Sequence, residues 1–183
     1  MEKNIVCISG NIAVGKSEVA RLVAEKLGFE LYKASAAFRE CARRNNMDLV
    51  TFNEYVKNNP DIDRKIEETT KEIVDSKDNV IVDARLGFYI EPKAFKVYLT
   101  ADVGIAAERL FEASKTRGKE EEYITVEDAK HAIELREASE RERYIKLYNI
   151  DIHDLSNYDI VIDTTKLTST EVADKIIAEY NKK

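Results

Sequence analysis

The chain has little of what disulfide scaffolds, metal centres and membrane spans are built from. Its 183 residues include two cysteines, Cys7 and Cys41, and two histidines, His131 and His153. Two cysteines in such different contexts make neither a disulfide framework nor a metal-ligand spacing. They read as packed, reduced thiols of a cytosolic protein. The histidines stand alone, with no partner at triad or metal spacing, and read as surface or satisfied side chains. No apolar run approaches the roughly 20 residues that a membrane helix needs. The apolar stretch near the start is too short for a signal peptide and runs straight into a glycine loop. The expected location is the cytoplasm. Positive charge is also in deficit, with 29 Lys and Arg against 35 Asp and Glu, a net charge of −6. That argues against a nucleic-acid polymer or an anionic membrane as partner. A bound phosphate must therefore be met by a local cluster of Arg and Lys. No Asn-Lys-x-Asp for guanine is present, which lowers the prospect of a GTPase switch.

What is present is a soluble, charge-rich composition, 44% hydrophobic and 35% charged, of a length that suits one domain with a real core. Residues 10–17 read Gly10-Asn11-Ile12-Ala13-Val14-Gly15-Lys16-Ser17, a complete G-x-x-x-x-G-K-[ST] loop. The apolar run Ile5–Ile8 precedes it and the amphipathic stretch Glu18–Leu27 follows, the strand-loop-helix context that a phosphate cradle requires. Glycines at both ends let successive backbone N–H groups turn inward toward an anion, and the following helix adds the positive end of its dipole. Lys16 can reach the β- and γ-phosphates of ATP, and the Ser17 hydroxyl can bind Mg²⁺.

Strands and helices alternate through the rest, which predicts an α/β fold with a mostly parallel sheet. Strands are expected at 4–9, 29–32, 79–83, 96–100 and 159–163. Helices are expected at 15–27 with Gly28 as C-cap, at 35–45 with Ser35 as N-cap, and at 51–57, ended by Asn59-Pro60. Further helices are expected at 61–76, 102–115, 126–148 and 169–180. Residues 114–122 are polar, lack apolar periodicity and read as a mobile loop that carries Arg117. No linker or repeat divides the chain, so a single domain is expected over residues 1–183.

Val80-Ile81-Val82-Asp83 is a buried strand ending in an acid, placed to hold Mg²⁺ or its water beside the glycine loop. Arg85, two residues on, points to the same strand-end crevice. Ser35 and Arg39 are one helical turn apart. Arg136, Glu140 and Arg143 (i, i+4, i+7) share one face of the long helix. Several arginines around one γ-phosphate are chemically sensible, because phosphoryl transfer spreads charge over the equatorial oxygens. The same segment also reads as a solvated face laced with i, i+4 ion pairs. An acceptor that is itself a phosphate needs no strong base, so the lack of one is no obstacle.

Taken together, these segments resemble the cytidylate kinases, in particular the short type found in archaea and some bacteria. The resemblance is carried by the phosphate loop; Ser35-Ala-Ala-Phe38-Arg39-Glu40; Asn59-Pro60-Asp61-Ile62-Asp63; Val82-Asp83-Ala84-Arg85-Leu86; and Arg136-Glu-Ala-Ser-Glu140-Arg-Glu-Arg143-Tyr144. The closing run from Tyr148 to Asp159 also matches. The resemblance implies a P-loop three-layer sandwich with a five-stranded parallel sheet and a mobile helical lid. It implies a monophosphate-binding insertion at about 34–78 and a lid region at about 109–148. The implied reaction moves the γ-phosphate of ATP·Mg²⁺ to CMP or dCMP in a monomeric enzyme whose partners are small nucleotides.

By the same resemblance, residues Gly10 to Ser17 and Glu18 hold ATP, with Arg109 beside the adenine. Ser17 and Asp83 serve the metal. Ser35, Arg39, Asp63 and Arg85 serve the acceptor. Arg136, Glu140 and Arg143 close over both nucleotides, with Lys16, Arg85, Arg136 and Arg143 catalytic. Three departures stand out. The usual Gly-Pro-Pro-Gly-Ser start of the loop is Gly10-Asn-Ile-Ala-Val. Ser35-Ala36-Ala37 stands where Ser-Ala-Gly-Asp is common, and Asp83-Ala84-Arg85 where Glu-Gly-Arg is. The last two lie near the acceptor pocket and leave a different acceptor open as the alternative, and a non-catalytic nucleotide switch as the more remote one.

Overall fold

The structure, a computed structural model, describes residues 4–116 and 122–182. Arg117 and most of the polar stretch around it lie outside the described residues. Five strands form one all-parallel sheet: β1 (Asn4–Gly10), β2 (Glu30–Lys33), β3 (Asn79–Asp83), β4 (Phe95–Thr100) and β5 (Ile160–Asp163), in the order β2-β3-β1-β4-β5. The helices are α1 (Lys16–Leu27), α2 (Ala34–Arg44), α3 (Leu49–Lys57), α4 (Pro60–Asp75), α5 (Gly87–Ile90), α6 (Val103–Ser114), α7 (Val126–Tyr148) and α8 (Ser169–Tyr180).

The side chains of β1 alternate between two cores, which is why its sequence reads as an unbroken apolar run. Val6 and Ile8 pack with Val19 and Val23 of α1 and Val172 and Ile176 of α8. Ile5 and Cys7 pack on the opposite face with Ala34 of α2 and Val74 of α4. The result is a helix-sheet-helix sandwich. The chain leaves β1 toward β2 and β3, then crosses to β4 on the other side of β1. Such a reversal opens a crevice at the carboxyl ends of the strands. The register pairs Ile8 with Asp83, so the acid at the end of β3 arrives beside the loop that leaves β1.

Local differences from the sequence-based expectations have simple causes. Ser35 does not cap α2; the helix begins at Ala34, with Lys33 at the cap position and no side-chain cap bond. Pro60 opens α4 at its first position rather than only closing α3, because proline's missing N–H is no loss in the first turn. Asp48 starts α3 two residues early by accepting from the Thr51 N–H. The single turn α5 and a 3-10 turn at Leu155–Asn157 are too short to carry a periodic signal. Ser114, where the expected helix 102–115 and loop 114–122 overlap, is the last residue of α6. Both cysteines are free thiols, Cys7 buried and Cys41 half-buried. No described helix is long and apolar enough to cross a membrane.

Candidate active site

Gly10 ends β1 where a Cβ would lie 2.4 Å from the Leu99 carbonyl oxygen, so no larger residue fits without moving the β4 backbone. Ala13 (φ 60°) and Gly15 (φ 84°) then turn through the left-handed region, curling the loop into a concave backbone that favours anions. Gly15 caps α1, and the Glu18 and Val19 N–H groups both donate to its carbonyl. Val14 is buried beneath the loop, and its carbonyl accepts from the Thr164 hydroxyl at 3.1 Å.

One cavity joins this loop to the other candidate residues except Arg109. Its walls include the loop, Ser35 and Arg39 from α2, Asp63 and Glu67 from α4, Asp83 and Arg85 after β3, and Arg136, Glu140 and Arg143 from α7. Lys16 is ion-paired to Asp83, and the Ser17 hydroxyl donates to the same carboxylate at 2.8 Å. Burial pushes the Lys16 amine below its ordinary pKa, against the pull of Asp83. Ser17 and Asp83 thus place two hard oxygen donors side by side at the loop, which fits Mg²⁺ completed by phosphate and water oxygens. Among the described residues no group of three or more His, Cys, Asp or Glu forms a metal cage.

Arg85 donates to the Gly10 carbonyl and pairs with Glu140 of α7 at 2.9 Å. The Ser9 hydroxyl donates to the Ala84 carbonyl at 2.7 Å and fixes the start of that turn. Burial pushes the Glu140 carboxyl up, but Arg85, Arg136, Arg143 and Lys16 together outweigh it and hold it below the usual range. Glu140 is therefore the anion about which the arginines are arranged.

The solvated-face reading of α7 fails: Arg136 is 7% exposed, Glu140 7% and Arg143 3%. Arg143 does not stand open to a ligand. Its Nε lies 2.5 Å from Asp63 on α4, and its terminal nitrogen donates to Asn53 on α3 at 2.9 Å. Arg109 lies in a second cavity behind the loop, with Gly15, Leu167 and Thr168, where its guanidinium donates to the Thr164 carbonyl at 2.9 Å.

Three participants were not apparent in the sequence. Asn53 is buried against Arg143. Glu137 accepts from the Ile12 N–H at 2.8 Å and from the Asn11 amide at 3.0 Å, which ties α7 to the start of the loop. Glu67 lines the cavity one turn after Asp63, and its Oε2 is buried without a hydrogen-bond partner. The available signal was the i, i+4, i+7, i+11 row Asp63, Glu67, Thr70 and Val74, which shares the inward face of α4.

The sequence model of the cytidylate kinase-like family matches residues 5–166. A cytidylate kinase of Thermoplasma acidophilum is 36% identical over 172 residues, covering 92% of this chain and 87% of its own length. One of Archaeoglobus fulgidus is 35% identical over 173 residues, covering 94% and 92%. In three dimensions the chain is similar to a gluconokinase from Sinorhizobium meliloti, with a TM-score of 0.61 and 15% identity over 98% of this chain and 92% of that one. A shikimate kinase from Acinetobacter baumannii gives 0.59 and 18% over 98% and 94%. At such identities these two support the P-loop kinase fold alone.

Proposed function

The chain belongs to the cytidylate kinase-like family and is a phosphotransferase of the nucleoside-monophosphate kinase type, and on that premise we propose that it moves the γ-phosphate of ATP to CMP or dCMP. The observation that carries the reading is one cavity lined both by the phosphate loop and by Arg39, Arg85 and Arg136.

The loop N–H groups and Lys16 hold the donor phosphates, and Arg109 lies on the adenine side. Ser17 and Asp83 would hold Mg²⁺, which would neutralise phosphate charge. Arg39 and Arg85 hold the acceptor phosphate, near Ser35. That phosphate is already an oxyanion, so positioning replaces base catalysis. Arg136 meets the charge on the transferring group. Arg143, with its guanidinium committed to Asp63 and Asn53, sets the place of α7. Closure of the α6–α7 region excludes water and limits idle hydrolysis of ATP.

The test is a screen of CMP, dCMP, UMP, AMP and GMP at fixed ATP·Mg²⁺, following ADP release. CMP or dCMP is expected to give the highest kcat/KM, with little ADP formed when no acceptor is added. ADP release indifferent to every monophosphate would sink the proposal, and preference for another one would move the acceptor. Arg136→Ala should lower kcat about 10²–10³-fold while ATP binding persists.

A further inference from the structure

The acids that line the cavity are almost all committed. Asp83 holds Lys16 and Ser17, Glu140 holds Arg85, Asp63 holds Arg143, and Glu18 turns outward to Arg21. Glu67 differs: among these acids it alone appears with a buried carboxylate oxygen that has neither a hydrogen bond nor a basic partner. A buried polar atom left in that condition is costly, so its retention calls for a ligand or a purpose.

We infer that Glu67 is the residue that reads the base of the acceptor nucleotide, its carboxyl group meeting the adjacent amino group and ring nitrogen of cytosine. The inference rests on the acceptor assignment above. It assigns a specificity role to a side chain that neither the sequence motifs nor the phosphate chemistry requires.

Three observations place the base there. Glu67 lines the cavity from α4, a different element from those that supply Arg39 and Arg85, which come from α2 and from the end of β3. The same cavity is also lined by Phe38, Ile66 and Tyr144, flat or apolar surfaces suited to the faces of an aromatic ring. Lastly, burial and the neighbouring Asp63 push its carboxyl up to about 8, against the pull of Arg143. Near neutral pH the group is therefore protonated, with one O–H to give and one carbonyl oxygen to accept. Cytosine offers the complement, a ring nitrogen that accepts beside an amino group that donates. Asp63, which the resemblance assigns to the acceptor, is held by Arg143.

The experiment compares CMP with its analogue lacking the 4-amino group, in wild-type protein and in Glu67→Leu and Glu67→Gln. In the wild type, loss of the amino group is expected to raise KM about 10- to 100-fold, the equivalent of one buried hydrogen-bonding group left unmet. Glu67→Leu should raise KM for CMP by a similar factor, leave KM for ATP in place and no longer distinguish the two acceptors. Glu67→Gln, whose amide keeps one donor and one acceptor, should restore both the low KM and the discrimination. Equal losses for both acceptors in the Leu variant, or an unchanged KM for CMP, would overturn the inference. So would a Gln variant that folds but does not restore discrimination. If the wild type turns over no CMP at all, the acceptor assignment fails and this inference falls with it. CMP turnover that ignores Glu67 removes this inference alone.

Discussion

The Glu137 carboxylate on α7 accepts the backbone N–H of Ile12, 2.8 Å away in the phosphate loop. The side-chain amide of Asn11 joins it at 3.0 Å. The Asn11-Ile12 pair, which departs from the Gly-Pro-Pro start that the resemblance leads one to expect, supplies both donors. The altered loop thus has a structural counterpart in the long helix.

Removal of that acceptor has a defined cost. Glu137→Ala leaves a loop N–H and an amide without their partner, and about 1–2 kcal/mol of stability should be lost. For a chain of this length that corresponds to a fall of roughly 2–8 °C in Tm. Thermal unfolding followed by circular dichroism checks it, and an unchanged Tm would show that α7 is held to the loop by other contacts.

The buried pair of Arg143 and Asp63 is a larger liability when broken. Asp63→Ala leaves the guanidinium buried with Asn53 as a neutral partner, and a loss of about 3–5 kcal/mol is expected. Urea unfolding measures it. A loss below about 1 kcal/mol, the range of an exposed pair, would mean that water reaches the pair in solution.

Glu67 makes stability depend on pH. Its carboxyl is raised from 4.5 to about 8 in the folded chain, so the folded state holds a proton that the unfolded state has given up. The resulting stabilisation is full below about pH 4.5 and is lost as pH rises through about 8, by up to about 1.4 kcal/mol per pH unit within that window. Asp63, Arg143, Tyr144 and Tyr148 are the charged or titratable groups that act on it or feel it. Glu67→Gln should gain on the wild type steadily between pH 5 and 8 in urea unfolding. A difference that stays flat across that range contradicts the assignment.

How much of this was legible in the sequence follows from how local each signal is. The loop from Gly10 to Ser17, the strand ending in Asp83 and the positions of the longer helices, though not all their caps, were readable because short segments specify them. The parallel sheet and the inward arginines of α7 followed from alternation and from a resemblance spread over the whole chain. The helix pattern by itself could not tell the buried face of Arg136 and Glu140 from an exposed one, since ion pairs at i, i+4 serve either. Partners far apart in sequence stayed hidden. Asn53 with Arg143 and Ile12 with Glu137 are separated by 90 and 125 residues, and no motif encodes those pairings. Arg143 shows where the signal stops: its place beside the cavity was legible, but its pairing with Asp63 depends on a packing that only the folded chain displays.

That commitment has a kinetic consequence. Arg143 and Glu142 of α7 are tied to α3 and α4 through Asp63, Asn53 and Lys57, the last at 2.7 Å. The wall that would meet the acceptor and the helix that reaches the phosphate loop are therefore parts of one body, and a shift of either carries the other. Occupancy of one nucleotide is therefore expected to raise the affinity for the second. Thermodynamic reciprocity requires the same factor in both directions. Initial-rate patterns over a grid of both substrates should accordingly show each KM falling as the other substrate saturates.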